Sequence, residues 1–260
     1  MRFTRLPILV AFLVLSSALT RAADIHVVSS GGFAAAYRTL APQFEKTTGN
    51  HLITGWGPSM GNTTDAVPQR LARNEPIDVV IMVGPALGRF VDEGKIIPDS
   101  RVDLARSAIG IAVRSGSSKP DISTVDSLRT ALLNAKSIAY SDSASGVYVS
   151  TGLFRRLGIV DQVTAKSRMI PAVPVGFVVA RGEAEIGFQQ ISELKPISGI
   201  ELVGPLPNEV QKVTIFSAGI VTGSKEPDAA KSLITFLSSP AATQAITASG
   251  LEPITASNSK

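Results

Sequence analysis

The chain contains no cysteine, so no disulfide framework holds the fold and neither a thiol nucleophile nor a thiolate metal site can be built. Histidine is nearly absent too. His26 and His51 are the only two, and without carboxylates clustered around them they make a poor metal site, so both are expected to be structural or exposed and no metal or cofactor is expected. Long apolar runs are missing beyond the first residues, and none approaches the roughly 20 residues a membrane-spanning helix needs. Excess charge is missing as well. The formal +4 includes Arg2, Arg5 and Arg21; without these three, the 25 basic residues fall to within one charge of the 21 acidic ones. A near-neutral chain carries no electrostatic footprint for nucleic acid. There is no phosphate-loop lysine and no GxGxxG, which disfavours nucleotide binding. Gly57-Pro58-Ser59-Met60-Gly61 matches the letters GxSxG, but two strand-adjacent histidines give no basis for a Ser-His-Asp triad, which disfavours a serine hydrolase.

What is present begins with a leader. Arg2 and Arg5, the apolar run Leu6 to Leu15 and the small residues from Ala18 to Ala23 follow the three-part grammar of a secretory signal peptide. Cleavage is expected after Ala22, giving a signal of residues 1–22 and a periplasmic, soluble mature chain of about 240 residues, enough to bury a core without staples.

After that point strand and helix patterns alternate, which argues for α/β layers and against a sandwich or a bundle. Asp24 to Ser29 reads as a strand ending at Ser30-Gly31-Gly32. Phe33, Tyr37, Leu40 and Phe44 recur at helical spacing until Thr48-Gly49-Asn50. Strands are expected at 52–55, 78–83, 109–113, 137–140, 186–189, 200–203 and 213–220. Helices are expected at 63–73, 125–133, 147–157, 173–181, 228–237 and 241–248. The run after Asp78 is continuously apolar, as in a parallel strand covered on both faces. The alternation restarts in the middle of the chain and ends in helices, so one lobe is expected from both chain ends, residues 23–107 with 217–260, and a second from the inserted residues 108–216. Candidate hinges lie near Ser107 to Val113 and Thr214 to Gly219.

Three strand-to-helix junctions share one chemistry: Ser29-Ser30-Gly31-Gly32, Pro58-Ser59-Met60-Gly61 continuing through Thr64, and Asp142-Ser143-Ala144-Ser145-Gly146. Each can offer hydroxyls and free helix N-terminal amides to an anion, outside the carboxyl ends of strands where open α/β sheets collect ligands. One such serine alone is an ordinary N-cap; three, on two lobes, point to a shared anion site. Asp142, at a strand end among these amides, can act as a base beside the anion or merely cap a helix towards solvent. Glu183, Glu185 and Glu193 flank a later strand and read most simply as a solvated face. Arg70, Arg168 and Arg181 could pair with a ligand carboxylate, although surface duty explains each singly.

The loops at Ser29 to Gly32 and Gly57 to Gly61, the strand Asp78-Val79-Val80-Ile81 and the closing stretch from Phe236-Leu237-Ser238-Ser239-Pro240 to Gly250-Leu251 resemble the periplasmic molybdate-binding proteins over essentially the whole mature chain. That resemblance implies a type II periplasmic binding fold: two α/β lobes joined by two hinge crossings. It also implies an oxyanion held at Ser30, at Ser59 and at the Ser143 to Val147 turn, with a further contact near Val173 and Pro174. Where those proteins carry a tyrosine that touches the oxyanion, this chain has Gln190, whose amide can donate to a carboxylate. Together with Tyr140 to Tyr148 and Gly187-Phe188-Gln189-Gln190, the motifs are also similar to the bacterial aconitate isomerases. That likeness implies cofactor-free interconversion of trans-aconitate and cis-aconitate by allylic proton transfer in an anion cleft between lobes.

The ligand-binding set expected from the two resemblances is Ser30, Gly31, Gly32, Ser59, Met60, Gly61, Ser143, Ser145, Gly146, Val147, Val173 and Gln190. Asp142 or Glu193 is the expected proton carrier, with Tyr148 as its partner. The alternative function is that of the solute-binding subunit of an ABC transporter for molybdate or another small oxyanion or carboxylate, which adds a membrane permease as partner. Under either reading the ligand is a small anion, tricarboxylate or oxyanion, and the protein is expected to be a monomer.

Overall fold

A computed structural model describes residues 22–254, so the expected signal peptide lies outside the described residues apart from Ala22. Among the described residues, eleven strands form two sheets. The first contains β1 (Asp24–Ser29), β2 (His51–Trp56), β3 (Val79–Val83), β4 (Val102–Ser107), β10 (Thr214–Ile220) and β11 (Glu252–Pro253), in the order β11-β4-β10-β3-β1-β2. The second contains β5 (Ile109–Arg114), β6 (Ile138–Ser141), β7 (Ser167–Ile170), β8 (Ile186–Gln190) and β9 (Ile200–Pro205), in the order β7-β6-β8-β5-β9. Each sheet carries its own helices and core, giving two α/β lobes.

The chain passes from the first sheet to the second at Ala108 and returns through residues 206–213. Ser107 and Thr214 are paired across β4 and β10 beside the first crossing. The segments expected as joints are themselves mostly strand. β10 already belongs to the first sheet at Thr214, before the expected lobe boundary at 216/217.

In the first lobe β1 pairs parallel to β2 and β3, and the helix Gly31–Thr48 packs Phe33, Tyr37, Leu40 and Phe44 into the core, each at most 1% exposed. Burying side chains of this size stabilises the fold by about 1.5–3 kcal/mol each. Asp78 ties the layers together. Its carboxylate accepts from the His26 and Lys225 amides and from the Ser224 hydroxyl, at 2.8, 3.0 and 2.7 Å. Burial alone would raise its pKa, but these hydrogen bonds, with another from the Glu226 amide, outweigh burial and hold it below the usual carboxylate range. The second core gathers Ile109, Ile111, Leu128, Phe154 and Phe188.

The helix expected over 63–73 is shorter, Val67–Ala72, with Pro68 in its first turn; residues 57–66 form an irregular loop instead. The helix expected from Val147 begins earlier, at Ala144, and passes through a π turn at Val149–Leu153. Parallel strands β1, β3 and β6 all end towards the gap between the sheets, so the helices that follow them start there.

Candidate active site between the lobes

The gap holds a cavity of about 270 Å³. From the first lobe it is walled by Ser30, Gly31, Gly32, Ser59, Asp65 and Phe216, and from the second by Asp142, Ser143, Val173, Gln189, Gln190 and Glu193. At about 30 Å³ per water, it has room for an organic acid as well as for a tetrahedral oxyanion.

Two serines that could have been plain caps are not. Ser30 and Ser143 stand at the N-cap positions of the helices Gly31–Thr48 and Ala144–Tyr148, yet neither side chain caps a backbone amide of its helix. Thr124 shows the ordinary arrangement: its hydroxyl accepts from the Ser127 amide at 3.1 Å in a complete capping box. The Ser30 hydroxyl is buried with no protein partner, an uncompensated group that costs about 1–3 kcal/mol unless a ligand or water meets it. Ser143 bonds instead to Ser141, at 2.7 Å, within a triangle of hydroxyls completed by Ser145. First-turn amides of both helices are therefore left for an anion. Ser59 accepts from the Val83 amide at 3.0 Å, so its own proton is free to donate.

Glycine is required where these corners close. Any side chain on Gly146 would overlap the backbone of Ser141, and one on Gly32 would enter the Phe216 ring. Gly146 and Ser145 thus shape the anion corner without lining it. Val147 projects away and is exposed, Met60 packs on the first lobe's second core cluster, and Gly61 forms a turn at φ 102°. Tyr148 does not reach the cavity: its hydroxyl donates to the Val210 carbonyl at 2.7 Å, which ties the helix to the return crossing. The expectation of a catalytic partner there is corrected accordingly.

Both expected proton carriers border the cavity. Asp142 is half-buried and accepts from the Ala172 amide at 3.2 Å, on a residue whose φ of 57° is unusual outside glycine. Glu193 stands apart from the solvated glutamates Glu183 and Glu185. Glu183 pairs on the surface with Arg168 and Arg181, and Arg70 pairs with Glu75, whereas Glu193 turns into the cleft against Gly31. Burial pushes its carboxyl up to about 7; donors from the Gln189 side chain and the Gln190 amide pull the other way, and the charge of Asp142 adds to the rise.

Gln190 also departs from expectation. Its Nε2 donates to the Thr214 hydroxyl across the hinge at 3.0 Å, and Oε1 is the amide atom left without a partner. The neighbouring Gln189, absent from the expected set, accepts from the Val175 amide at 2.8 Å and donates to Glu193. Its signal was legible: two consecutive glutamines end a strand that is otherwise apolar and wholly buried, and buried amides need partners.

A larger open groove, about 900 Å³, lies at the other end of the second sheet, beside Ser137 and Ile186 where β6 and β8 begin. It is at the amino ends of these parallel strands, opposite the helix N-termini, and lacks the convergence that makes the cleft a site.

Two α/β lobes of this topology, crossed twice by the chain and meeting at uncapped helix N-termini, define the type II periplasmic binding-protein fold. The sequence model of the bacterial extracellular solute-binding protein family matches residues 25–252, and the chain belongs to that family. It is 51% identical over 259 residues to an aconitate isomerase of a Pseudomonas species, covering 98% of this chain and 99% of the relative. It is 26% identical over 240 residues to a molybdate-binding protein of Azotobacter vinelandii, covering 88% and 90% of the two chains. The solved structure of the Azotobacter vinelandii periplasmic molybdate-binding protein superposes with a TM-score of 0.70 at 22% identity, covering 87% of this chain and 98% of that one, a likeness of fold.

Proposed function

We propose that this protein is an exported isomerase that interconverts trans-aconitate and cis-aconitate in the cleft between its lobes. The observation that carries the reading is end-to-end identity of 51% with a Pseudomonas aconitate isomerase, in a chain whose cleft brings two carboxylates against uncapped helix amides.

The chemistry moves one proton within the substrate. A base takes a proton from the methylene carbon, the double bond shifts by one position, and an acid returns a proton to the former vinylic carbon, so atoms and charge balance over the cycle. Asp142 takes the first proton and Glu193 returns the other, and after product leaves Asp142 gives its proton to solvent and Glu193 regains one, which restores the starting state; the reverse direction exchanges these roles. Negative charge spreads onto substrate carboxylates in between, where amides of Gly31, Gly32 and Ala144 and the hydroxyls of Ser30, Ser59 and Ser143 stabilise it. Val173 borders the same space. Gln190 contributes by rotating its amide: turned over, it accepts from Thr214 and presents its NH₂ to a substrate carboxylate. Lobe closure excludes water and fixes the pose. The signal peptide directs export and is removed after Ala22, and the mature protein acts as a monomer.

The second reading is capture of molybdate or another small oxyanion or carboxylate for a membrane permease, favoured by the 26% identity to a molybdate-binding protein. One assay separates the two. Purified mature protein incubated with trans-aconitate, without added metal or nucleotide, is expected to yield cis-aconitate by chromatography, and the same preparation should show no thermal shift with molybdate or tungstate. No isomer formed, with tight stoichiometric molybdate binding, would leave the transport reading in place.

A further inference from the structure

We infer, resting on the isomerase reading, that the cleft takes up its polyanionic ligand together with a proton, and that Glu193 receives it. The residues that wall the cavity include no lysine, arginine or histidine, but three carboxylates: Asp65, Asp142 and Glu193. A tricarboxylate entering this space meets only the partial charges of amides and hydroxyls, so its charge is added to carboxylates already present.

Nearby cations are otherwise engaged. Arg38 stacks on the Trp56 ring at 4.5 Å; Arg70 is tied to Glu75 and the Trp56 carbonyl; Lys195, the C-cap of the short helix Ile191–Leu194 that carries Glu193, donates to the Ala248 carbonyl at 2.8 Å. Other elements facing Glu193 supply no counter-charge. The first turn of the helix Gly31–Thr48 presents Gly31 and Gly32, β10 presents Thr214 and Phe216, the 172–174 loop is uncharged, the 57–65 loop brings Asp65, and the loop after β6 brings Asp142.

Glu193 also occupies the ground the ligand needs. Its Oε1 lies against Gly31, beside the amides left free by Ser30, so an ionised Glu193 would repel a ligand oxygen seated on those amides. Protonation resolves the conflict, because a neutral carboxyl no longer repels the ligand and can donate to one of its oxygens. The proton is readily gained, since the empty cleft already holds this group at about 7, and a ligand's charge drives it higher. The bound complex then starts with Glu193 as the acid, the role given to it above.

The test is calorimetric titration of the full mature protein with tricarballylate, the saturated tricarboxylate that has no double bond to move. Buffers of differing ionisation heat are used at pH 6 and pH 8, because the dependence of the observed heat on buffer reads the protons taken up. Uptake for the parent is expected to approach one proton per ligand at pH 8 and to be small at pH 6, with affinity falling about tenfold per pH unit above 7. Glu193→Gln, almost the same shape, is expected to bind with no uptake at pH 8. Binding by the parent without proton uptake at pH 8, or uptake that persists in Glu193→Gln, overturns the inference while leaving the isomerase reading intact. Absence of tricarballylate binding together with absence of aconitate turnover overturns both.

Discussion

Glu193→Gln is expected to lower aconitate turnover by about two to four orders of magnitude, the usual contribution of a positioned proton carrier, while making the protein more resistant to heat at pH 8. The two effects share one cause. The folded state holds this proton more tightly than the unfolded chain, with a pKa of about 7 against an ordinary 4.5, so the associated stability is fully present below about 4.5 and is lost as pH rises through 7. The loss amounts to about 3 kcal/mol at most. A glutamine carries no charge to desolvate, so the stability gap between variant and parent should be absent near pH 4, open between pH 4.5 and 7, and level off by pH 8. Steady-state kinetics and thermal melts over this range check both parts. A variant that is slower only through a weaker fold would contradict the assignment.

Gly146→Ala is expected to cost about 3 kcal/mol or more, a drop in melting temperature of about 6–12 °C for a chain of this size, and to abolish anion binding at moderate ligand concentration. The added methyl would overlap Ser141 backbone atoms, not the far end of a flexible side chain, so relief requires the end of β6 to move. That strand end is pinned on one side by Ser141 paired with Ile170 and on the other by the hydroxyl triangle. Displacing it tilts the first amides of the helix Ala144–Tyr148 out of the cleft. Thermal melts and ligand titration of the variant read the two consequences separately; an unchanged melt would show that the corner is looser than its geometry implies.

Much of the fold could be read from local pattern because each core strand has a strong signal of its own. β1 is found over the expected Asp24–Ser29, and the apolar run after Asp78 is the buried β3. The elements that escaped are those whose pattern is weak or whose burial is set by partners far away in sequence. β4, Val-Asp-Leu-Ala-Arg-Ser, is stabilised by β10 and β11 from the other end of the chain, and β7 is a short edge strand whose two middle residues, Arg168 and Met169, are exposed. The helix Gly84–Asp92 starts directly from β3 through Gly84-Pro85 with no polar cap to announce it.

For the site, junction chemistry was legible: serine and glycine after a strand predict free amides at a helix start. Which member of each junction faces the cavity was not, because that depends on the roll of the helix. Ser145 and Gly146 turn inward to Ser141 while Ser143 faces the cleft, and Tyr148 turns to Val210. Glu193 looked like one of three surface glutamates until the helix Ile191–Leu194 was packed against the other lobe, where Ser192 donates to the Gly32 carbonyl at 2.7 Å. A contact spanning 160 residues leaves no trace in local spacing.

The most direct measurement is a crystal structure of the mature protein with tricarballylate. Ligand carboxylates are expected between the lobes, with oxygens on the amides and hydroxyls at Ser30, Ser59 and Ser143, and the Glu193 carboxyl within hydrogen-bond distance of one of them. A ligand seated in the groove beside Ser137 and Ile186, or held by arginine and lysine on the surface with the cleft filled only by water, would contradict the account.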